Sequence, residues 1–293
     1  MAAAAHAKPN HDYHLVNPSP WPIVGSVSAL ILAIGAIAFF KSRKGEALML
    51  FGGDLAVVGP WVMLIGFAGV LYTMYAWWSD VVKESITGDH TPVVMMHHRY
   101  GMILFIASEV MFFVAWFWAY FDQFFRHDDL QQYGRVEAMG PTWPPVGVEL
   151  FDPFHLPLFN TLVLLTSGTT VTWAHHALIH NDRNGLKVGL WLTIILGAMF
   201  TCVQALEYSR AGFAYSGNIY GATFFMATGF HGFHVLVGTI FLTVCLVRAY
   251  VGNLTVKHHL GFEFAAWYWH FVDVVWLFLF ASIYVWGAGT AAH

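Results

Sequence analysis

Long apolar runs alternate with short polar stretches along almost the whole chain. A helix needs roughly 20 apolar residues to cross a hydrocarbon core of ~30 Å. Seven segments meet that requirement, at 21–40, 55–78, 100–121, 156–178, 189–206, 220–247 and 262–286. The runs are continuous rather than alternating with a period of two, so they read as helices and not as barrel strands. Most connections are short, as helix hairpins require. The exception is 122–155, which holds Asp128, Asp129, Glu137, Asp152 and a PTWPP turn at 141–145. It reads as a surface loop, ordered in part against a partner. The pattern divides the chain into a tail at 1–20, two spans at 21–78, a connecting segment at 79–99, five spans with their long loop at 100–287, and a tail at 288–293. The fold class is all-α and polytopic, and no internal repeat is visible.

Composition agrees with that pattern. Hydrophobic residues make up 58% of the chain and charged residues 10%, against about 25% charged in a soluble domain. The 13 Trp and 12 Tyr can furnish belts at the two membrane interfaces. A net charge of −4 over 293 residues argues against a nucleic-acid partner, which requires a basic face. Cys202 and Cys245 both lie in apolar runs and no CxxC or Cys/His zinc spacing occurs, so neither a disulfide framework nor a zinc site is expected. The opening 20 residues hold three Pro and no apolar h-region, so a cleavable signal peptide is not expected and the first span directs insertion.

An odd number of spans puts the termini on opposite sides. The N-terminal side collects Lys8, Lys83, Arg99, Arg183, Lys187, Arg248 and Lys257, and the other side Lys41, Arg43, Lys44, Arg126, Arg135 and Arg210. Seven against six favours an inside N-terminus only slightly under the positive-inside rule. The histidines are less even. His6, His11, His14, His90, His97, His98, His180, His258 and His259 lie outside the spans on the N-terminal side, and only His127, His155 and His293 lie opposite. Imidazole titrates near neutrality, so such a face can collect and release protons, with His6, His11 and His14 in the leading tail as buffering groups. The plainer reading is ordinary polar loop composition.

Ionisable groups inside the spans are the candidates for chemistry, since each needs a partner, a cavity or a neutral form. Glu109 lies nine residues into the third span, roughly 13 Å deep at 1.5 Å per residue. Its helical neighbours Phe105, Ile106, Phe112 and Phe113 cannot pair with it. It is either a hydrogen-bonded strut between helices or a proton relay. His234, or failing that His231, reaches a comparable depth and is the expected partner. His231 and His234 share one face of the sixth span, where they could ligate a metal or bond across helices, with Thr228 and Gly232 permitting close packing. His270 and Asp273 share one face of the last span as a local charge-assisted pair. The TWAHH segment at 172–176 reads as an interfacial anchor, and TSGTT at 166–170 as small-residue packing. No GxSxG, P-loop or GxGxxG fingerprint accompanies them, and no metal site is assigned.

Several of these segments resemble cytochrome c oxidase subunit III. They are YHLVNPSPWP at 13–22, WWSDVVKES at 77–85, HTP at 90–92, RYGMILF at 99–105, TWAHH, TGFHGFH at 228–234, HHLGFE at 258–263 and WYWHFVDVVWLFLF at 267–280. The resemblance implies seven transmembrane helices in two bundles, helices 1–2 and 3–7, around a V-shaped cleft filled with phospholipid. It implies headgroup contacts at Trp78, Glu84, His90, Arg248 and His258. No cofactor belongs to this chain on that reading; heme a and copper belong to partner subunits I and II, with direct contact mainly to I. The implied complex passes electrons from cytochrome c to dioxygen, and this subunit stabilises subunit I and sustains proton uptake. The long 122–155 loop points to a bacterial member, in the plasma membrane with the N-terminus cytoplasmic and the C-terminus periplasmic. A proton-coupled transporter would carry repeats or broken helices, which are not seen, and a heme-ligating membrane enzyme would differ in its optical spectrum. The two additional N-terminal spans and the VNPSPWP start favour the cytochrome c branch over a quinol-oxidising relative.

Overall fold

The computed structural model describes residues 11–50, 53–129, 134, 136–137 and 140–287. His6 and Lys8, Arg135, and the tail at 288–293 with His293 lie outside the described residues. Seven long helices follow one another among them: α1 Trp21–Arg43, α2 Gly59–Thr87, α3 Pro92–Phe125, α4 Leu156–Ile179, α5 Arg183–Ser209, α6 Ile219–Val251 and α7 Leu260–Leu279, which runs on as a π-helix over Phe280–Trp286. A two-residue ladder, β1 Met49–Leu50 with β2 Gly53–Asp54, joins α1 to α2. The chain is thus a polytopic all-α protein, with one helix for each apolar run.

Local sequence sets the helix ends. Proline occupies the first turn of α1, α2 and α4, where a missing N–H costs nothing. The Asp182 carboxylate accepts from Asn184 and Gly185 N–H to cap α5, and Asn218 accepts from Gly221 N–H to cap α6. Gly88 (φ 92°) and Gly252 (φ 88°) stop α2 and α6 in the left-handed region, which side chains with a Cβ rarely adopt.

Six of the seven helices are long and apolar enough to cross a membrane. The exception is α4, which Asn160, Thr161, Ser167, Thr170 and Thr172 dilute. At 24 residues it is about 36 Å long. Asn160, Thr161 and Ser167 are buried inside the protein: Ser167 Oγ accepts from Trp269 Nε1 at 2.9 Å, and Thr161 Oγ1 from Trp276 Nε1 at 2.8 Å.

The structure refines two sequence expectations. The connecting segment at 79–99 is helical except for residues 88–91, because α2 runs on to Thr87 and α3 starts at Pro92. Asp80, Lys83 and Glu84 end the apolar run but not the helix, and Lys83 bonds Asp80 one turn back at 2.9 Å. The loop after α3 is also no free surface segment where it is described. Trp143 stacks edge-on against Tyr120 at 5.6 Å, and Phe151 lies 5.6 Å from Phe213, so this stretch covers the end of the chain's own core.

The chain forms two compact units, Met1–His97 and His98–His293. In the first, α1 and α2 pack antiparallel through glycines. A Cβ built on Gly35 would fall on the Met63 backbone, one on Gly66 on the Leu32 backbone, and one on Gly59 on the Ala38–Phe39 backbone. The segment before α1 lies against the end of α2. Trp21 Nε1 donates to Asp80 at 2.7 Å, and Thr91 Oγ1 to the Asp12 carbonyl at 2.6 Å.

In the second unit α4 packs on α5 and α7, and α6 packs on the same two helices. Gly189 of α5 sits against Ala174 of α4, and Gly197 and Gly238 make a slot for the Trp269 ring. α3 joins through long side chains instead. Phe112 meets Phe230 at 4.8 Å, and Phe117 meets Phe278 at 4.5 Å.

Candidate functional sites inside the helical bundle

Glu109 of α3 reaches His234 of α6, Oε2 to Nε2, at 2.9 Å. This is the pairing that the depth count expects. The other ring nitrogen of His234, Nδ1, donates to the Phe230 carbonyl at 2.6 Å. A neutral imidazole with its hydrogen on Nδ1 can only accept at Nε2, and a carboxylate can only accept as well. The contact therefore holds one further proton, either as a carboxylic acid donating to Nε2 or as a carboxylate facing an imidazolium. The neutral form separates no charge in hydrocarbon. Phe113, 4.9 Å from the His234 ring, and Phe112 wall the pair in.

A substitution series reads which form is present. Glu109→Gln keeps a donor for Nε2 and should melt within about 0.5 kcal/mol of the parent, whereas Glu109→Leu should lose about 1–2 kcal/mol, the range of one interhelical bond in a membrane. Thermal unfolding in detergent measures both. A Gln variant as unstable as the Leu variant would establish the ion pair instead.

His231 does not share that partner. It is fully buried and donates from Nε2 to the Val272 carbonyl of α7 at 3.1 Å. The two histidines thus bond across helices separately, one to α3 and one to α7. Thr228 belongs to the same packing, accepting from Tyr208 at 2.7 Å. Gly232 does not: a Cβ there would meet nothing within 4 Å, and the close approach falls at Gly238. On α7, His270 Nδ1 lies 3.5 Å from Asp273 Oδ2, and His270 Nε2 lies 3.1 Å from Thr172 Oγ1 of α4.

Two polar clusters escaped the sequence reading. Arg99 grips Glu263 with two bonds of 2.9 Å, tying the start of α3 to the first turn of α7. Both residues stand in quoted motifs but look like loop charges. Glu207, fully buried near the end of α5, accepts from Tyr284 at 2.6 Å and from Gln204 at 3.1 Å, and Gln204 in turn accepts from Asn160 at 3.4 Å. Its place just past an apolar run disguised it.

The residues expected at lipid headgroups are divided between the two units. Trp78, Glu84 and His90 belong to the first, Arg248 and His258 to the second. Trp78 is exposed, and Glu84 faces His14 at 4.0 Å. Arg248 lies in the last turn of α6, its guanidinium over Gly261, and His258 is exposed in the loop before α7. Of the buffering histidines, His11 is exposed, while His14 sits between Glu84 and Asp89. Among the described residues no group of three or more His, Cys, Asp or Glu is arranged to hold a metal ion.

Membrane-length helices whose inward polar groups are paired across the bundle define a multi-pass membrane protein. A family model described as cytochrome c oxidase subunit III matches residues 11–288. Proteins named cytochrome c oxidase subunit 3 are similar throughout: that of Arabidopsis thaliana is 51% identical over 278 residues, covering 94% of this chain and 97% of the relative. The one from Triticum aestivum is 51% identical with the same coverage, and that of Oryctolagus cuniculus is 48% identical over 279 residues, 95% and 98% of the two chains. The chain belongs to the cytochrome c oxidase subunit III family, and so to a respiratory terminal oxidase.

Proposed function

We propose that the chain is the non-catalytic core subunit of a complex that passes electrons from cytochrome c to dioxygen. It stabilises the subunit I partner, binds phospholipid and sustains proton uptake. The observation that carries this reading is the family match over residues 11–288. Heme a and copper reside in subunits I and II. The bonding of the buried groups supports a scaffold rather than a reaction centre, because Glu109, His234 and Glu207 each hold one helix to another. Trp78, Glu84, His90, Arg248 and His258 are the headgroup contacts, by the chemistry of phosphate-seeking cations and an ammonium-seeking carboxylate. His6, His11 and His14 buffer protons on the N-terminal side, which is the cytoplasmic side of a bacterial plasma membrane, and the C-terminus is periplasmic. The long 122–155 stretch supports the bacterial assignment.

The test is purification through a tag on this chain in mild detergent. Chains bearing heme and copper should co-elute and oxidise ferrocytochrome c, while this chain, once separated, should carry sub-stoichiometric iron and copper. The stripped complex should lose bound phospholipid and turn over more slowly, with the deficit growing as pH rises and free protons become scarcer, and with unchanged heme spectra. Elution without metal-bearing chains, or one tightly held metal per separated chain, would overturn the reading. Identical pH profiles with and without the chain would remove the proton-uptake part.

A further inference from the structure

α4 ends in a pair of imidazoles that the helical packing does not use. His176 stands in its last turn and His180 at its C-cap. A spacing of four residues brings both to one face of a helix. The two rings are 5.9 Å apart, centre to centre, and within 17° of parallel. His176 is half-buried and His180 exposed. Among the described residues neither ring bonds another side chain. The histidines nearby are engaged elsewhere: His175 rests against His259 and Phe262, and His270 bonds Thr172.

Three features suit this pair to a metal cation. His180 Nδ1 donates to the His176 carbonyl at 2.9 Å, so in the neutral ring Nε2 keeps its lone pair. Histidines that ligate metals are commonly fixed in this way, with the other ring nitrogen donating to a carbonyl or carboxylate. The pair also sits at the C-terminal end of a 24-residue helix, where the last carbonyls carry partial negative charge. Finally, the backbone holds the rings together before any ion arrives. The chain turns sharply at Asn181 (φ 59°), and the Asp182 carboxylate caps α5 immediately afterwards. With Zn–N bonds of about 2.1 Å, the ring centres of a chelating pair stand about 5 Å apart, so the two rings need close by only about 1 Å. The cations that begin α5 are turned away, Arg183 to the Leu254 carbonyl and Lys187 over the Tyr250 ring at 4.6 Å. Imidazole suits Zn²⁺, Cu²⁺ and Ni²⁺, whereas Mg²⁺ and Ca²⁺ take oxygen ligands.

We propose that His176 and His180 form a surface site for a divalent transition-metal ion, Zn²⁺ above all, which clamps the last turn of α4. With two protein ligands, water completes the coordination shell and the ion exchanges with solution. A chelator therefore strips it, and it is no resident metal of the separated chain. The inference stands on these two side chains and does not depend on the family reading.

Hydrogen exchange in the intact, tagged complex, washed with chelator and then titrated with Zn²⁺, tests it. An ion that binds only the closed turn protects that turn. Exchange in peptides covering the end of α4 should slow at least threefold at saturating Zn²⁺ and stay unchanged in Mg²⁺. His176→Gln and His180→Gln should each raise the Zn²⁺ concentration needed at least tenfold, while exchange without metal remains native. His155→Gln, at the other end of α4, should leave the response as it was. Equilibrium dialysis should show one fewer Zn²⁺ per chain in the double variant than in the parent. If a variant does not accumulate, the parent's response to Zn²⁺ against Mg²⁺ decides alone. No slowing by Zn²⁺, equal slowing by Mg²⁺, slowing that persists in either Gln variant at the parent's Zn²⁺ concentration, or equal zinc content in the double variant overturns the proposal.

Discussion

Gly66→Leu should separate α1 from α2. A Cβ at Gly66 would lie 2.5 Å from the Leu32 Cα, and one at Gly35 2.6 Å from the Met63 Cα. These are backbone atoms in the middle of helices, and no rotamer change relieves them. Overpacking where side chains can yield costs about 1–3 kcal/mol. Here the helices themselves must part, and the cost should exceed about 3 kcal/mol. The lost contact is also the main source of pairing, because lipid provides no hydrophobic drive between apolar helices and close packing must supply the attraction. Gly66→Ala should show a smaller loss of the same sign. Gly101→Ala and Gly232→Ala, where a Cβ meets nothing within 4 Å, should leave the melting temperature in detergent unchanged or slightly raised. Hydrogen exchange should locate the Gly66 effect in α1 and α2, and a Gly66→Leu chain with native protection of both helices would refute the packing argument.

The existence of all seven helices was legible because the bilayer imposes one length on every spanning run. Helix ends were not, since hydropathy measures the hydrocarbon slab rather than the helix, and α2 continues nine residues past Trp78 through Asp80, Lys83 and Glu84. The same blindness explains which polar contacts were found. Glu109 stood alone in an apolar run with no helical neighbour able to answer it, so depth counting led to His234. Arg99 and Glu263 lie near span ends, where charges look solvated, and only the geometry reveals their two-bond clasp. Glu207 was hidden by its position beyond an apolar run. Its burial depends on Tyr284, which the terminal π-helix turns inward, and a period of 3.6 residues gives no warning of that wider turn. Small residues were misassigned for a related reason. Composition singled out Gly232, but the slot is at Gly238, and which face of α6 meets α7 is not written in α6 alone.

That slot leads to the second large effect. Trp269→Ala should destabilise the second unit by about 3 kcal/mol, the lower end of the loss seen for large aromatics in soluble cores, because the reference state here is lipid rather than water. Trp269 is fully buried. Its ring fills the space that Gly197 and Gly238 leave, with Cη2 2.6 Å from a Cβ built on the first and Cε3 2.8 Å from one built on the second. Its Nε1 reaches Ser167 of α4 at 2.9 Å. One side chain of α7 thus touches α4, α5 and α6, and its removal leaves a void that three separate helices would have to collapse together to fill. The loss of the indole bond adds little, since Ser167 still donates to the Leu164 carbonyl at 2.5 Å. Trp269→Phe should fall between the parent and the alanine variant. The glycine slot supplies the decisive control. Gly238→Ala should be costly in the native chain, where the new methyl meets the ring, and nearly free in the Trp269→Ala background, where it meets the void; residues in direct contact show such non-additivity, on the order of 0.5–3 kcal/mol. Reversible unfolding in detergent or bicelles measures the cycle. An alanine variant costing less than about 1 kcal/mol, or equal Gly238→Ala penalties in both backgrounds, would mean that the ring does not hold the four helices together.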